Sequence, residues 1–208
     1  MTESASTPST RPAVPVRDQR RHDLTTAAYA LIAERGFEGL RVRDVAAQAG
    51  VNIATLHYYF PTKENLIGGV VDHLIHQFLT LEAPAVEGEP DTPFTQLHHV
   101  ILDLQYQLQV APEMFAVLTE LHLRSQRDEH IRTLLADMNQ RWQNHLESIC
   151  QTGIETGIFR TDLDAPRTAS LMIALVKGIS LQALSGLDQF DFDAIWHDIA
   201  RMVLQHPF

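Results

Sequence analysis

The segment from Val42 to Lys63, VRDVAAQAGVNIATLHYYFPTK, constrains the fold more than any other part of the chain. Apolar residues recur at helical spacing on both sides of Gly50, and Asn52 stands where its side chain can cap a second helix. The spacing predicts two short helices joined by a tight turn at Gly50. We expect three apolar side chains to hold the second helix against the core, namely Ile53, Leu56 and Phe60. This arrangement is a helix-turn-helix, in which the second helix enters the major groove of DNA.

A further helix is expected immediately before this motif. Apolar residues follow a helical period from Arg17 to about Arg35, and Gly36 is placed to end the helix. The three helices together predict a DNA-binding head over residues 17–61. Residues 1–16 are rich in Ser, Thr and Pro without periodicity, which predicts a disordered arm.

The remainder of the chain also has a helical pattern. A longer helix is expected to begin near Thr62, and a loop rich in Pro follows at residues 82–93. Further helical segments then run to about residue 205. Because no stretch shows the alternation of a strand, the predicted fold class is all-α.

Composition sets outer limits on the class of protein. Hydrophobic residues make up 45% of the 208 residues and charged residues 20%, which is typical of soluble globular proteins. No apolar run approaches the roughly 20 residues needed to cross a bilayer, and the first residues lack the pattern of a secretory signal. We therefore expect a cytoplasmic protein without a membrane partner. Cys150 is the only cysteine, and the eleven histidines form no recognisable ligand motif, so neither a metal nor another cofactor is expected.

Net charge does not exclude a nucleic-acid partner. The chain carries a net charge of −10, but residues 1–66 contain eight Lys and Arg against seven Asp and Glu. The acidic excess therefore lies in residues 67–208, which contain eight basic and nineteen acidic residues. Since charges are screened over about 8–10 Å at cellular salt, a local patch on the first part can still attract DNA phosphates.

The residues from about Arg21 to Val71 resemble the TetR family of bacterial transcriptional regulators. The phrase AGVNIATLHYYFPTKENL, preceded by a helix of the right pattern, carries most of the resemblance. Residues that stand where the family pattern expects them are Ala27–Ala28, Leu31, Gly36–Phe37, Val42–Asp44, Val45–Ala46, Ala49–Gly50–Val51, Leu56, Tyr59–Phe60, Lys63–Glu64 and Leu66. Three positions depart from it: Arg41 replaces a frequent Ser or Thr cap, Ala54 a frequent Gly, and His57 a common Tyr.

The resemblance implies a homodimer with two DNA-binding heads and a helical effector-binding and dimerisation domain over residues 62–208. Such proteins usually repress transcription until a small molecule binds and changes the separation of the heads. Heads spaced by about 34 Å, or by a multiple of it, match a palindromic operator in double-stranded DNA.

Candidate DNA contacts cluster in and around the second helix of the motif. Thr55 and Tyr58 are suited to base edges. Arg43, Tyr59 and Lys63 are suited to phosphates, although Tyr59 could equally be a core residue. The full set of expected contacts is Arg43, Asn52, Thr55, His57, Tyr58, Tyr59 and Lys63. Arg17, Arg20 and Arg21 are candidates for backbone or minor-groove contacts.

Candidate effector contacts lie in the second part of the chain. An apolar pocket with a few polar groups is how helical bundles hold small ligands, so we expect a largely apolar effector. The residues expected to line its site are Phe78, Tyr106, Met114, Phe115, His122, Trp142, Leu146 and Met172. The alternative for each is that it is simply a core residue.

The last two helices are expected to form the dimer contact. Apolar residues recur at helical spacing in both. They are Ala169, Met172, Ile173, Val176, Ile179, Ala183 and Leu184 in the first helix, and Phe192, Ile195, Ile199, Met202 and Val203 in the second. The alternative is that these residues are buried within the monomer, and the resemblance favours the interface.

Two other classes of function compete with a DNA-binding regulator. An all-helical enzyme would have to use weak acid–base material such as His122 with Glu113 or Glu120, and no catalytic motif is present, so an enzyme is not expected. The other class is a helical interaction or ligand-binding protein with no working DNA head.

Overall fold

The protein is described here from a computed structural model that covers residues 16–85, 88–187 and 189–204. In these ranges the chain is helical, which confirms the all-α prediction. The helices are α1 (Val16–Arg35), α2 (Val42–Gln48), α3 (Ile53–Tyr59), α4 (Lys63–Thr80), α5 (Pro93–Val110), α6 (Glu113–Ser125), α7 (Glu129–Glu155), α8 (Ala165–Leu184) and α9 (Phe192–Val203). A 3-10 helix, Phe37–Gly39, lies between α1 and α2.

The predicted disordered arm falls on residues 1–16, of which 1–15 lie outside the described residues, and α1 already begins at Val16. No helix in the described ranges is both long enough and apolar enough to span a membrane.

The head shares one apolar core with the rest of the chain. Buried side chains from α1, α2, α3, α4, α6 and α7 form a single cluster, which includes Leu24, Leu31, Ile32, Val45, Leu56, Phe60, Leu66, Val70, Leu74, Met114, Val117, Leu121, Ile131 and Leu135. Since separating the head would expose this apolar surface to water, its packing against α4 and α6 is stabilising. The orientation of the head is therefore tied to the positions of α4 and α6.

The expectation that Ile53 helps to hold α3 against the core is wrong. Leu56 and Phe60 are buried, with exposed fractions of 1% and 0%, but Ile53 is 48% exposed. Ile53 is the first residue of α3, and the packing of this helix against the core comes from Leu56 and Phe60 after it.

The second half of the protein is built around α7 and α8. Lys177 Nζ donates to Asn139 Oδ1 at 2.6 Å, and the hydroxyl of Ser170 donates to Gln143 Oε1 at 3.4 Å. Residue numbers rise along α8 as they fall along α7, so the two helices are antiparallel. A second apolar cluster lies among α5, α7, α8 and α9, with Leu97, Ile101, Leu146, Ile149, Phe159, Ala169, Met172, Ile199 and Val203 in its centre.

An extended segment between α4 and α5 runs back along α5. The side chain of Gln107 donates to the carbonyl of Leu81 at 2.9 Å, and the carboxylate of Asp103 accepts from the backbone N–H of Ala83 at 2.7 Å. Thr92 then caps α5 in a reciprocal capping box with Thr95. The predicted loop is confirmed over its described residues, and side chains of α5 hold it in place.

Candidate DNA-binding site

The turn between α2 and α3 has the geometry that its sequence predicts. Gly50 has a φ of 66°, a left-handed conformation that glycine adopts without a steric penalty. The N–H of Val51 donates to the carbonyl of Ala46 at 2.9 Å and closes α2. Asn52 then caps α3, because its Oδ1 accepts from the backbone N–H of Thr55 at 2.8 Å and from the Thr55 hydroxyl at 3.0 Å. The turn and cap together aim α3 outward.

The face of α3 that points to solvent consists of Ile53, Ala54, His57 and Tyr58, all of which are exposed. Tyr58 is 69% exposed, and its ring packs edge-on against that of Tyr59 at 5.1 Å between centroids. Thr55 and Tyr59 are half-buried on the flanks of this face. The structure therefore leaves His57 and most of the Tyr58 side chain accessible, whereas Tyr59 combines packing with partial exposure.

The predicted phosphate contacts Arg43 and Lys63 lie on α2 and α4, the helices before and after α3. Arg43 is exposed on α2, and its Nε lies 3.1 Å from the carboxylate of Asp44. Lys63 is exposed at the first position of α4, and its ammonium lies 5.3 Å from the centroid of the Phe37 ring. On α1, the Arg21 guanidinium lies 4.6 Å from the centroid of Phe60. Each of these cations thus lies beside another side chain of the same molecule.

A junction connects the head to α6. The backbone N–H of Phe37 donates to Glu120 Oε2 at 2.9 Å, across 83 residues of sequence. Gly36, with a φ of 67°, makes room for this carboxylate, because a Cβ at Gly36 would lie 3.3 Å from the same oxygen. The guanidinium of Arg124 also lies 5.3 Å from the centroid of the Phe37 ring, and the ammonium of Lys63 on α4 lies near the same ring. Sequence reasoning assigned no role in the head to Glu120, because nothing local to it identifies so distant a partner.

Arg41 precedes α2 where the family pattern often has a capping Ser or Thr. Its backbone is extended, and its side chain makes no capping hydrogen bond to α2. The N-terminus of α2 therefore lacks the side-chain cap that α3 and α4 receive from Asn52 and Thr62.

A group of aromatic rings lies between α1 and α4. The centroid of the His73 ring is 5.5 Å from that of His22 and 5.1 Å from that of Tyr29. Burial lowers the pKa of His73, and the neighbouring His22 and His76 lower it further. Burial also raises the pKa of the Tyr29 hydroxyl far above its ordinary value. Within the described residues, no group of three or more His, Cys, Asp or Glu is arranged to hold a metal ion.

The eight candidate effector contacts do not form one group. Phe78, Phe115 and Trp142 belong to a small cluster, in which the first two rings pack edge-on at 5.6 Å. Met114 belongs to the core shared with the head, and Leu146 and Met172 to the cluster around α7 and α8. Tyr106 is half-buried on α5. His122 is exposed on α6, and its Nδ1 lies 2.9 Å from the carbonyl of Leu118.

Five of the seven expected dimer residues of α8 face the core of their own monomer. Ala169, Met172, Ile173, Val176 and Ile179 are buried, as are Ile199 and Val203 of the expected residues of α9, so the alternative of burial within the monomer is correct for them. The opposite face of α8 exposes Leu171, Leu181 and Leu184, with exposed fractions of 50%, 57% and 39%. Helical periodicity revealed an apolar face, but α8 has two, and the sequence did not distinguish the inner one from the outer one.

These features define a helical DNA-binding protein in which a helix-turn-helix presents α3 to solvent and a larger helical domain carries the head. Comparison with known proteins identifies the family. Residues 24–70 match the family described as bacterial regulatory proteins, tetR family, and residues 93–206 match the BetI-type transcriptional repressor C-terminal family. The chain belongs to the TetR family of transcriptional regulators and is a DNA-binding regulator of the repressor type, not an enzyme.

Individual relatives agree with this assignment. The transcriptional regulator BetI of Brucella anthropi is 30% identical over 135 residues, which cover 65% of this chain and 69% of that protein. The fatty acid metabolism regulator protein of Bacillus subtilis is 29% identical over 178 residues, covering 86% of this chain and 90% of that protein. A crystal structure of a TetR-family regulator from Rhodococcus sp. has a TM-score of 0.74 and 27% identity, covering 90% of this chain and 100% of that one.

Proposed function

We propose that this regulator is a cytoplasmic homodimer that binds a palindromic operator through α3 and leaves it when a small-molecule effector binds. The observation that carries the proposal is the exposed face of α3, where His57 and Tyr58 stand free of the core. Thr55 and Tyr59 on the same helix are half-buried, and Arg43 and Lys63 are exposed on the helices before and after it. This set combines groups for base edges with groups for phosphates, as sequence-specific binding requires.

A second copy of the chain is the proposed partner of the exposed face of α8. Leu171, Leu181 and Leu184 lie at helical spacing there, and Gly178 adds no side chain that would hold a neighbouring helix away. A two-fold axis through this face would bring the same leucines of two chains together and bury all of them. The axis would also place two heads on one side of the dimer, as a palindrome requires.

The proposed dimer is tested by measuring the size of the protein in sedimentation experiments. We expect wild-type protein to sediment as a dimer and Leu181→Glu to sediment as a monomer. The matched control is Leu123→Glu on α6, since Leu123 is 59% exposed but lies outside the proposed face. A dimeric Leu181→Glu protein, or a monomeric wild type, would contradict this interface.

The effector is proposed to bind against the cluster of Phe78, Phe115 and Trp142. This cluster receives side chains from α4, α5, α6, α7 and α8, so a ligand there would contact both α4 and α6. Because α4 starts at the head and α6 holds it through Glu120, displacement of either helix would change the orientation of α3. An effector that prefers the displaced arrangement then lowers operator affinity by shifting the population of states.

The DNA assignment is tested by selecting genomic fragments on purified protein and sequencing them. We expect enrichment of an inverted repeat, and a loss of about 1–3 kcal/mol of specific binding for Thr55→Ala and Tyr58→Ala at fixed salt. Thr161→Ala, an exposed residue between α7 and α8, is the control and should bind like wild type. Fragments without a shared sequence would refute the proposal and favour a helical interaction protein.

The effector site is tested on the same complex. Small apolar and amphipathic compounds are screened for release of the selected operator, and the active compound is titrated against Trp142→Phe. We expect the variant to bind the operator normally without the compound and to need a higher concentration for release. Equal potency on both proteins would place the effector elsewhere.

A further inference from the structure

The exposed face of α3 has an unusual chemical composition for a helix that reads DNA. Residues 51–60, VNIATLHYYF, contain neither Lys nor Arg. Ile53 is 48% exposed at the start of α3, although it is a large aliphatic residue and the core does not need it. Ala54 lies beside it and is exposed as well. Half of the outward face is therefore aliphatic.

The polar groups that usually make bidentate contacts with bases are absent from this face or already engaged. Guanine is read by Arg or Lys, and α3 contains neither. Adenine is read by an Asn or Gln that accepts and donates at once. In Asn52, the Oδ1 atom already accepts both the backbone N–H and the hydroxyl of Thr55. Asn52 is therefore occupied as a cap and is not free for this contact.

The feature of the major groove that suits an aliphatic side chain is the C5-methyl group of thymine. We propose that Ile53 is a specificity-determining residue that packs against a thymine methyl in each half of the operator. A β-branched side chain on a helix has essentially one rotamer, so little side-chain entropy is lost when this contact forms. Partial exposure of Ile53 in the free protein also means that the contact removes apolar surface from water on both partners.

This inference rests on the proposed function, since it needs an operator. It differs from that proposal because it assigns the readout of one base to one methyl group. Ile53 is free for this role, because Leu56 and Phe60 supply the packing of α3 against the core.

The test uses the operator recovered by the selection and removes one methyl group at a time. Each thymine is replaced with deoxyuridine, which keeps the Watson–Crick edge and lacks only the C5-methyl group. Affinity is measured by fluorescence anisotropy at fixed salt for wild type, Ile53→Val and Ile53→Ala. At one thymine per half-site we expect wild type to lose about three- to five-fold in affinity, the amount expected for burying one methyl group.

The variants decide whether Ile53 is responsible. Ile53→Ala should bind the thymine and deoxyuridine operators equally at that position, because its methyl group is too short to reach. Ile53→Val keeps the branched carbon and should retain most of the difference. Thymines elsewhere in the same duplex serve as internal controls, and thermal unfolding of both variants should match wild type because Ile53 is not a core residue.

Two results would overturn the inference. One is that no thymine position shows a loss that depends on residue 53. The other is that Ile53→Ala keeps the full sensitivity to deoxyuridine. Failure of wild-type protein to select any sequence would instead refute the proposed function, so the two failures are distinguishable.

Discussion

The hydrogen bond between Glu120 and the head can be broken by a single substitution. In the structure, Glu120 Oε2 accepts the backbone N–H of Phe37 at 2.9 Å in a partly buried position. This N–H is the first of the 3-10 helix that starts at Phe37, and Gly36 before it has no side chain to cap it. Glu120→Ala therefore leaves the N–H without its partner, whereas Glu120→Gln keeps an uncharged acceptor.

The size of the effect follows from the type of bond. A hydrogen bond to a charged group contributes about 1.5–3 kcal/mol, and we expect Glu120→Ala to lower the free energy of unfolding by that amount. A shift of about 2–4 °C in the unfolding midpoint per kcal/mol is typical for chains of this length. Glu120→Gln should lose about half as much, since hydrogen bonds to charged groups are roughly twice as strong as neutral ones.

The assay combines urea unfolding with amide hydrogen exchange and operator binding. We expect the Phe37 amide to lose protection in Glu120→Ala, and operator affinity to fall because the orientation of the head is less restricted. Glu129→Ala is the control, because Glu129 forms an exposed ion pair with Arg132 whose loss should cost less than about 1 kcal/mol. If Glu120→Ala kept wild-type stability and protection at Phe37, the junction would have no part in holding the head.

Two further substitutions test the packing. Gly153→Ala should destabilise the protein by about 1–3 kcal/mol in urea unfolding, despite the helical preference of Ala, because its Cβ would lie 2.1 Å from the buried Phe159 ring. Gly68→Ala is the control and should not destabilise the protein, because there is space for a Cβ at Gly68. Equal stability of the two variants would contradict this packing. The pKa of His73 is lowered in the folded protein, so the unfolded chain binds more protons and stability should fall as the pH drops below about 6.5. His73→Gln should reduce this dependence in unfolding experiments at pH 7 and pH 5, and an unchanged pH dependence would refute the assignment.

Local sequence patterns predicted the helices, turns and caps well, but predicted less well which side chains would be exposed. The turn at Gly50, the cap at Asn52 and the ends of α1 and α4 depend on residues within a few positions of each other, and the structure confirms them. The face of α3 was harder to predict. A helix of seven residues makes barely two turns, so its periodicity could not show that Ile53 points outward.

Side-chain partners that are distant in sequence were beyond prediction. The contact of Glu120 with Phe37 spans 83 residues, and nothing in the sequence around either residue indicates that the two are in contact. Six of the eight candidate effector residues divide among three clusters for the same reason, since apolar composition marks a residue as buried without indicating its neighbours.

The amino-acid order alone determined that this chain is all-helical and carries a DNA-reading motif near its start, because helical period, glycine turns and caps are properties of neighbouring residues. Tertiary packing decided which side of α3 faces solvent, which leucines of α8 stay exposed and how α6 contacts the head. These outcomes depend on the competition among apolar faces for one core, and that competition is resolved only when all the helices are in place.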